Sequence, residues 1–169
     1  GINVEQYETN RATFNSRGFE IQVTQIDGLS LVNSYATVVG REDTFLFERI
    51  ELIRGANGLL TGVGNSSGTI NYIRKRPTNE NSTEINLSAG SFDLKRAAVD
   101  YNTVLSSDGA WAGRVVVAHE DSGSFTRDLH DTRTSVYGVI DGQIGTNGTF
   151  TLGLSANDSD QDSPMWGSL

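Results

Sequence analysis

Cysteine is absent from the 169 residues, which excludes disulfides and thiolate metal sites and gives no reading of the redox compartment. Histidine is scarce. His119 and His130 have no carboxylate at ligand spacing, so no metal site is assigned to them. Basic residues are outnumbered, 13 Lys and Arg against 21 Asp and Glu, for a formal net charge of -8. That balance argues against nucleic acid as a partner, since phosphate binding needs clustered cations. No apolar run reaches the ~18 residues of a membrane-crossing helix. This excludes a helical span only, because barrel strands need about 9–11 residues of alternating character and escape hydropathy scans. The opening Gly-Ile-Asn-Val-Glu has no signal-peptide pattern. Proline occurs only twice, and Pro77 ends a strand because it cannot donate to a ladder.

Glycine is plentiful, 19 residues in all, and Gly55, Gly58, Gly62, Gly64 and Gly68 crowd one crossing. So many glycines let a backbone take left-handed dihedrals and run close to another wall. A short strand pattern lies on each side. In Arg49–Arg54, Arg49 and Glu51 share one face and Ile50 and Leu52 the other. In Thr69–Arg74, Thr69, Asn71 and Ile73 stand opposite Ile70, Tyr72 and Arg74. Upstream, the segments 19–23 and 29–32 are bounded by Arg17-Gly18 and by Asp27-Gly28, a hairpin turn by its own chemistry. Glu42-Asp43-Thr44 before Phe45-Leu46-Phe47 predicts a helix start of a turn or two, capped by Asp43 or Thr44.

Beyond the polar linker Thr78–Ser82 the strands lengthen and become regular. Ile85, Leu87 and Ala89 alternate with Glu84, Asn86 and Ser88. Ala97, Val99 and Tyr101 alternate with Ala98, Asp100 and Asn102. Trp111, Gly113, Val115, Val117 and His119 oppose Ala112, Arg114, Val116, Ala118 and Glu120. A fourth strand over 135–144 has two readings, with Val136 and Ile140 or Tyr137 and Val139 on its apolar face. In the fifth, Phe150, Leu152, Leu154 and Ala156 alternate with Thr149, Thr151, Gly153 and Ser155. Short turns at 91–93, 106–109 and 145–148 contrast with long polar loops expected over 121–133 and 158–169. Such strands suit a transmembrane barrel wall, apolar side outward, with Trp111, Phe92 and Tyr101 in interfacial belts. They suit equally a soluble antiparallel sandwich with Ile85, Leu87, Val115, Val117, Leu152 and Leu154 in a dry core.

Glu48, Arg49, Glu51, Arg54, Gly55, Leu60, Gly62, Gly64, Gly68, Ile70, Asn71, Lys75, Arg76 and Pro77 form a spaced pattern. It resembles the second half of the plug domain of TonB-dependent outer-membrane receptors, and Asn65-Ser66-Ser67 within the crossing is most similar to their siderophore-receptor branch. The resemblance tips the choice of architecture to the barrel. It implies a mainly β fold: a plug domain (a small mixed sheet with short helices) over 1–80, then the first five or so antiparallel strands of a 22-stranded transmembrane β-barrel over 81–169, incomplete here. It also implies a fragment lacking the secretion signal and the upstream segment that recruits a TonB-type inner-membrane energy-coupling protein. The implied location is the cell outer membrane of a Gram-negative bacterium, with outer-membrane lipid around the wall. The implied ligand is a ferric siderophore that carries its own iron, with no cofactor bound directly and no enzymatic reaction. A receptor for cobalamin, haem or a glycan would keep the plug pattern but differ at Arg17, Phe45 and the loops.

By the same resemblance, Arg17 reaches the plug apex, where a guanidinium forks onto carboxylate or hydroxamate oxygens. Val32, Tyr35, Phe45 and Trp166 are the other expected ligand contacts, with Met165 beside Trp166. Arg54 and Arg76 are expected to lock plug to wall through carboxylates, Glu84 or Glu120, because a buried charge must be paired. Plainer readings stand beside these: a solvent-facing turn arginine, the core of a short helix, an ordinary loop tryptophan.

Two other motifs fail on context. Gly64-Asn65-Ser66-Ser67-Gly68 fits the hydrolase nucleophile elbow, but a strand pattern stands next where a helix is required. Asp158-Ser159-Asp160-Gln161-Asp162 opens like a calcium loop, but Ser163 and Leu169 stand where glycine and glutamate are needed.

Overall fold

Thirteen strands fill most of the residues that the computed structural model describes, namely 2–6, 8–9, 11–32, 37–39, 43–53 and 67–165. They fall into two units: Gly1–Arg41, Phe47–Arg74 and Pro164–Leu169 in the first, Glu42–Leu46 and Lys75–Ser163 in the second. No helix among the described residues is long and apolar enough to cross a membrane.

The first unit carries two four-stranded sheets. In one, β2 (Arg11–Ser16) pairs antiparallel with β1 (Ile2–Gln6), with β3 (Phe19–Glu20) and with β6 (Thr37–Val39). The other runs β5 (Leu29–Val32), β4 (Val23–Ile26), β8 (Thr69–Arg74), β7 (Phe47–Ile53). Only its β4–β8 pair is parallel, in register from Val23 with Thr69 to Ile26 with Tyr72. The sheet is therefore mixed, as expected. Two tight turns shape the unit. Arg17-Gly18 (φ 56° and 81°) joins β2 to β3, and Asp27-Gly28 (φ 51° and 82°) joins β4 to β5. Both central residues are left-handed in each, the conformation that matches strand twist in two-residue hairpins. The Asp27 carboxylate accepts from Arg74 N (2.9 Å) and Arg74 Nε (2.7 Å), which ties this turn to the end of β8. Ile21, Val23, Phe47 and Ile70 form the buried apolar core, with the Phe47 and Tyr72 rings 5.2 Å apart.

The second unit is an up-and-down antiparallel sheet of β9 (Ser82–Ala89), β10 (Lys95–Val104), β11 (Trp111–Gly123), β12 (His130–Ile144) and β13 (Gly148–Asp162). The strands are longer than hydrophobic alternation predicts. His130, Asp131 and Thr132 pair with Gly123, Ser122 and Asp121, so the expected loop over 121–133 contracts to 124–129. Likewise β13 runs through Asp162 and absorbs much of the expected acidic loop. The reason is that ladder bonds are made by the backbone, and polar side chains interrupt the apolar pattern without interrupting the pairing.

Facing is now fixed on β12: Ser135, Tyr137 and Val139 are buried, whereas Val136 and Ile140 are exposed. Register extends that assignment across the sheet. Ile85, Val99, Val117, Val136 and Ala156 lie in one cross-strand row, and Tyr101, Val115, Gly138 and Leu154 in the next. On β11, Val115 is 47% exposed and its neighbour Val116 0%. One face is thus a bare apolar band. The other carries Arg96, Ala98, Asp100, Asn102, Arg114, Val116, Ala118 and Glu120.

Candidate functional site

The polar face of the second unit is where charge concentrates, and two chain segments fold onto it. The first is a single 3-10 turn, Thr44–Leu46, which packs against β11 and β12. Asp43 caps it: its Oδ1 accepts from Phe45 N at 2.9 Å, and Leu46 N donates to Asp43 O at 3.2 Å. Thus the short helix start expected at Asp43 exists as one turn. The same Asp43 carboxylate binds Arg96 of β10 at 2.7 Å. Arg96 also reaches Glu120 (3.5 Å), which binds Arg133 at 2.9 Å, so opposite charges alternate across three strands.

The second segment is Lys75–Glu80. Lys75 N donates to Leu46 O at 3.2 Å, which joins the two segments. Lys75 Nζ binds Asp100 Oδ2 at 2.7 Å, and Arg114 forks onto the same carboxylate with contacts of 2.8 Å and 2.7 Å. Asp100 retains 4% side-chain exposure, so two cations compensate one buried anion. Asn102 then holds the linker by both ends of its amide. Its Oδ1 accepts from Thr78 N at 3.0 Å, and its Nδ2 donates to the carbonyls of Thr78 and Glu80.

Phe45 sits in this charge field: Lys75 Nζ lies 4.0 Å from its ring centroid and the Arg96 guanidinium carbon 5.6 Å. Arg76 binds Asp141 of β12 at 3.1 Å and Thr151 Oγ1 of β13 at 2.8 Å. Its carboxylate partner is therefore neither Glu84 nor Glu120. Glu84 is exposed on β9, in register with Asp100. Arg17 is an exposed hairpin residue, and Phe19 beside it is 57% exposed. Val32 ends β5. Met165 meets the first unit's β1–β2 turn, where Met165 N donates to Thr9 Oγ1 at 2.9 Å. Tyr35, Arg54 and Trp166 lie outside the described residues, as does Ser66 of the elbow motif. Strand β8 begins directly after Gly68, and residues 158–162 belong to β13; no metal-holding cluster exists among the described residues.

Sequence reasoning missed Asp43, Arg96, Asp100, Arg114 and Arg133 as a network. The available signal was the period-2 placement of charges on the polar face of the strands; their partners lie 13 to 53 positions away along the chain and carry no local signature.

A mixed sheet with two tight turns, followed by an antiparallel meander with one bare apolar face, is the architecture of a plug followed by barrel-wall strands. Residues 1–69 match the TonB-dependent receptor plug domain, and the chain belongs to the TonB-dependent siderophore receptors. It is 36% identical over 170 positions to the ferripyoverdine receptor of Pseudomonas aeruginosa, which covers 98% of this chain and 21% of that protein. The ferric-pyoverdine M114 receptor of Pseudomonas sp. (strain M114) is 33% identical over 174 positions, covering 100% of this chain and 21% of the relative. Among solved structures, the pyoverdine outer membrane receptor of P. aeruginosa PAO1 bound to pyoverdine matches with a TM-score of 0.89 at 32% identity, over 99% of this chain and 25% of that one. The chain spans about a fifth of the length of these curated relatives.

Proposed function

We propose that the protein of which these residues are part binds a ferric siderophore of the pyoverdine class at the outer membrane of a Gram-negative bacterium and imports it in a TonB-energised step. The observation that carries this reading is identity at 36% that runs through both units, from plug to wall, with a ferripyoverdine receptor. A match confined to the plug would leave the ligand class open. Iron travels as cargo inside the ligand, and no bond in the ligand is broken. The energy-coupling protein acts from the inner membrane and remodels the plug. We take 1–80 as the plug's share and 81–169 as wall.

Arg17, Val32, Tyr35, Phe45 and Trp166 are the proposed ligand contacts. Arg17 suits that role because a two-residue turn projects its guanidinium into solvent beside the exposed Phe19, a fork for anionic iron-ligating oxygens with an apolar neighbour. Arg76 is proposed as a plug arginine locked to the wall, through Asp141.

Ferric pyoverdine binding to the full-length receptor in detergent, read by tryptophan quenching, tests the proposal. Saturable quenching is expected, and Arg17→Ala is expected to weaken it about tenfold, ~1.4 kcal/mol. Tight binding untouched by Arg17→Ala discards the apex assignment, and saturable binding of cobalamin or haem in place of any ferric siderophore overturns the ligand class.

A further inference from the structure

We propose that Asp43–Leu46 is a strap that belongs mechanically to the wall: it stays on β10 and β11 while other parts of the plug are remodelled during import. This rests on the transport reading given above. Four residues make three attachments, which converge on Arg96 of β10 and on Lys75, itself held to β10 through Asp100. The Asp43–Arg96 ion pair is 2.7 Å long with side chains only 5% and 16% exposed. The Phe45 ring faces two cations, Lys75 and Arg96, and cation–π attraction strengthens as water is excluded. The Leu46 carbonyl accepts from Lys75 N, and Leu46 itself is buried.

The charges make the strap hard to lift. Arg96 serves Asp43 and Glu120, Glu120 serves Arg96 and Arg133, and Lys75 serves Asp100. Withdrawing Asp43 would leave a mostly buried cation with Asn86 Oδ1 at 3.3 Å and one carboxylate, Glu120, at 3.5 Å, and exposing one member of a buried network costs more than losing a surface pair. The β7–β8 register shifts between Phe47 and Arg49, and the Arg49–Glu51 pair of β7 is solvent-exposed. Surface pairs of that kind contribute little. The strap is therefore anchored by more buried charge than the solvent-exposed pair of the strand that follows it.

The test fixes the strap chemically in the full-length receptor. Asp43→Cys and Arg96→Cys are combined, with any cysteine outside these 169 residues replaced by serine, and joined by a reducible bis-thiosulfonate reagent. Cells carrying the cross-linked receptor are expected to import ferric pyoverdine within about twofold of the reduced form. Loss of import on cross-linking, restored by reductant, overturns the proposal, because it means the strap must leave the wall. Absence of import by the wild type would instead fault the transport reading. Hydrogen exchange on the purified wild type then judges the strap alone. Phe45 and Leu46 amides exchanging within about tenfold of β10 amides support it, and exchange about a hundredfold faster overturns it.

Discussion

Asp100 shows how much depends on one carboxylate. It is shared by Lys75 and by both arms of the Arg114 fork, and water barely reaches it. Replacing it leaves two neighbouring cations without their anion, a change that costs about 3–5 kcal/mol when a buried partner is removed. Asp100→Ala is therefore expected to lower the unfolding free energy of the full-length receptor by that amount. Glu84→Ala, one strand away but exposed, is expected to shift it by less than about 0.5 kcal/mol. Equal effects would contradict the geometry. The same comparison shows what the sequence made legible. Period-2 alternation assigned Glu84, Asp100 and Arg114 to the polar face. It could not rank them, because partner choice depends on Lys75 and Arg76 arriving from another segment. Asp141 escaped notice as the partner of Arg76 for the same reason.

At the scale of elements, the β11–β12 pair has a hydrophobic pattern that stops before its hydrogen bonding does. In the apolar middle alternation left β12 with two facings, which the pairing of Val117 with Val136 resolves, and at His130–Thr132 nothing apolar marks the strand at all. The helix start at Asp43 was legible because capping is local chemistry, whereas its docking through Arg96 was not. Glycine explains a further detail of this element. Trp111 pairs with Gly142 and lays its indole over the missing side chain; a Cβ there would come within 2.3 Å of the ring. Gly142→Ala is expected to expel the indole from its 6.2 Å contact with Phe150 and to cost about 1 kcal/mol. In a Trp111→Leu background the penalty is expected to vanish, which a double-mutant cycle reads directly.

The short β10–β11 turn has its own titration. The Asp108 carboxylate accepts from Ser106 Oγ at 2.6 Å and Ala110 N at 3.0 Å, and the serine bond foremost holds its pKa below the ordinary value. A carboxyl whose pKa is lowered by folding stabilises above its unfolded pKa and stops doing so as pH falls through the lowered one. Protection of the Ala110 amide is accordingly expected to be constant near neutrality and to fall in acid. Asp108→Asn should flatten that dependence, and a profile unchanged by the substitution would contradict it.

For the molecule as a whole, alternation served a soluble sandwich and a barrel wall equally well, and the plug pattern upstream decided between them. The structure adds a physical discriminator in the bare band of Ile85, Val99, Val115, Leu152 and Leu154. In a lipid-facing wall, cysteine-linked fluorophores at Val115 and Val117 of the full-length receptor are quenched by brominated lipid while those at Val116 and Ala118 are not. A sandwich core would leave both sets unquenched.

The most direct measurement of the central claim is uptake of radioactive iron from ferric pyoverdine by cells whose only receptor is the full-length protein. The account predicts saturable uptake that stops when the inner-membrane energy source is collapsed, while surface binding of the ferric ligand persists. Uptake that continues without that energy, or binding with no uptake under full energisation, would contradict it.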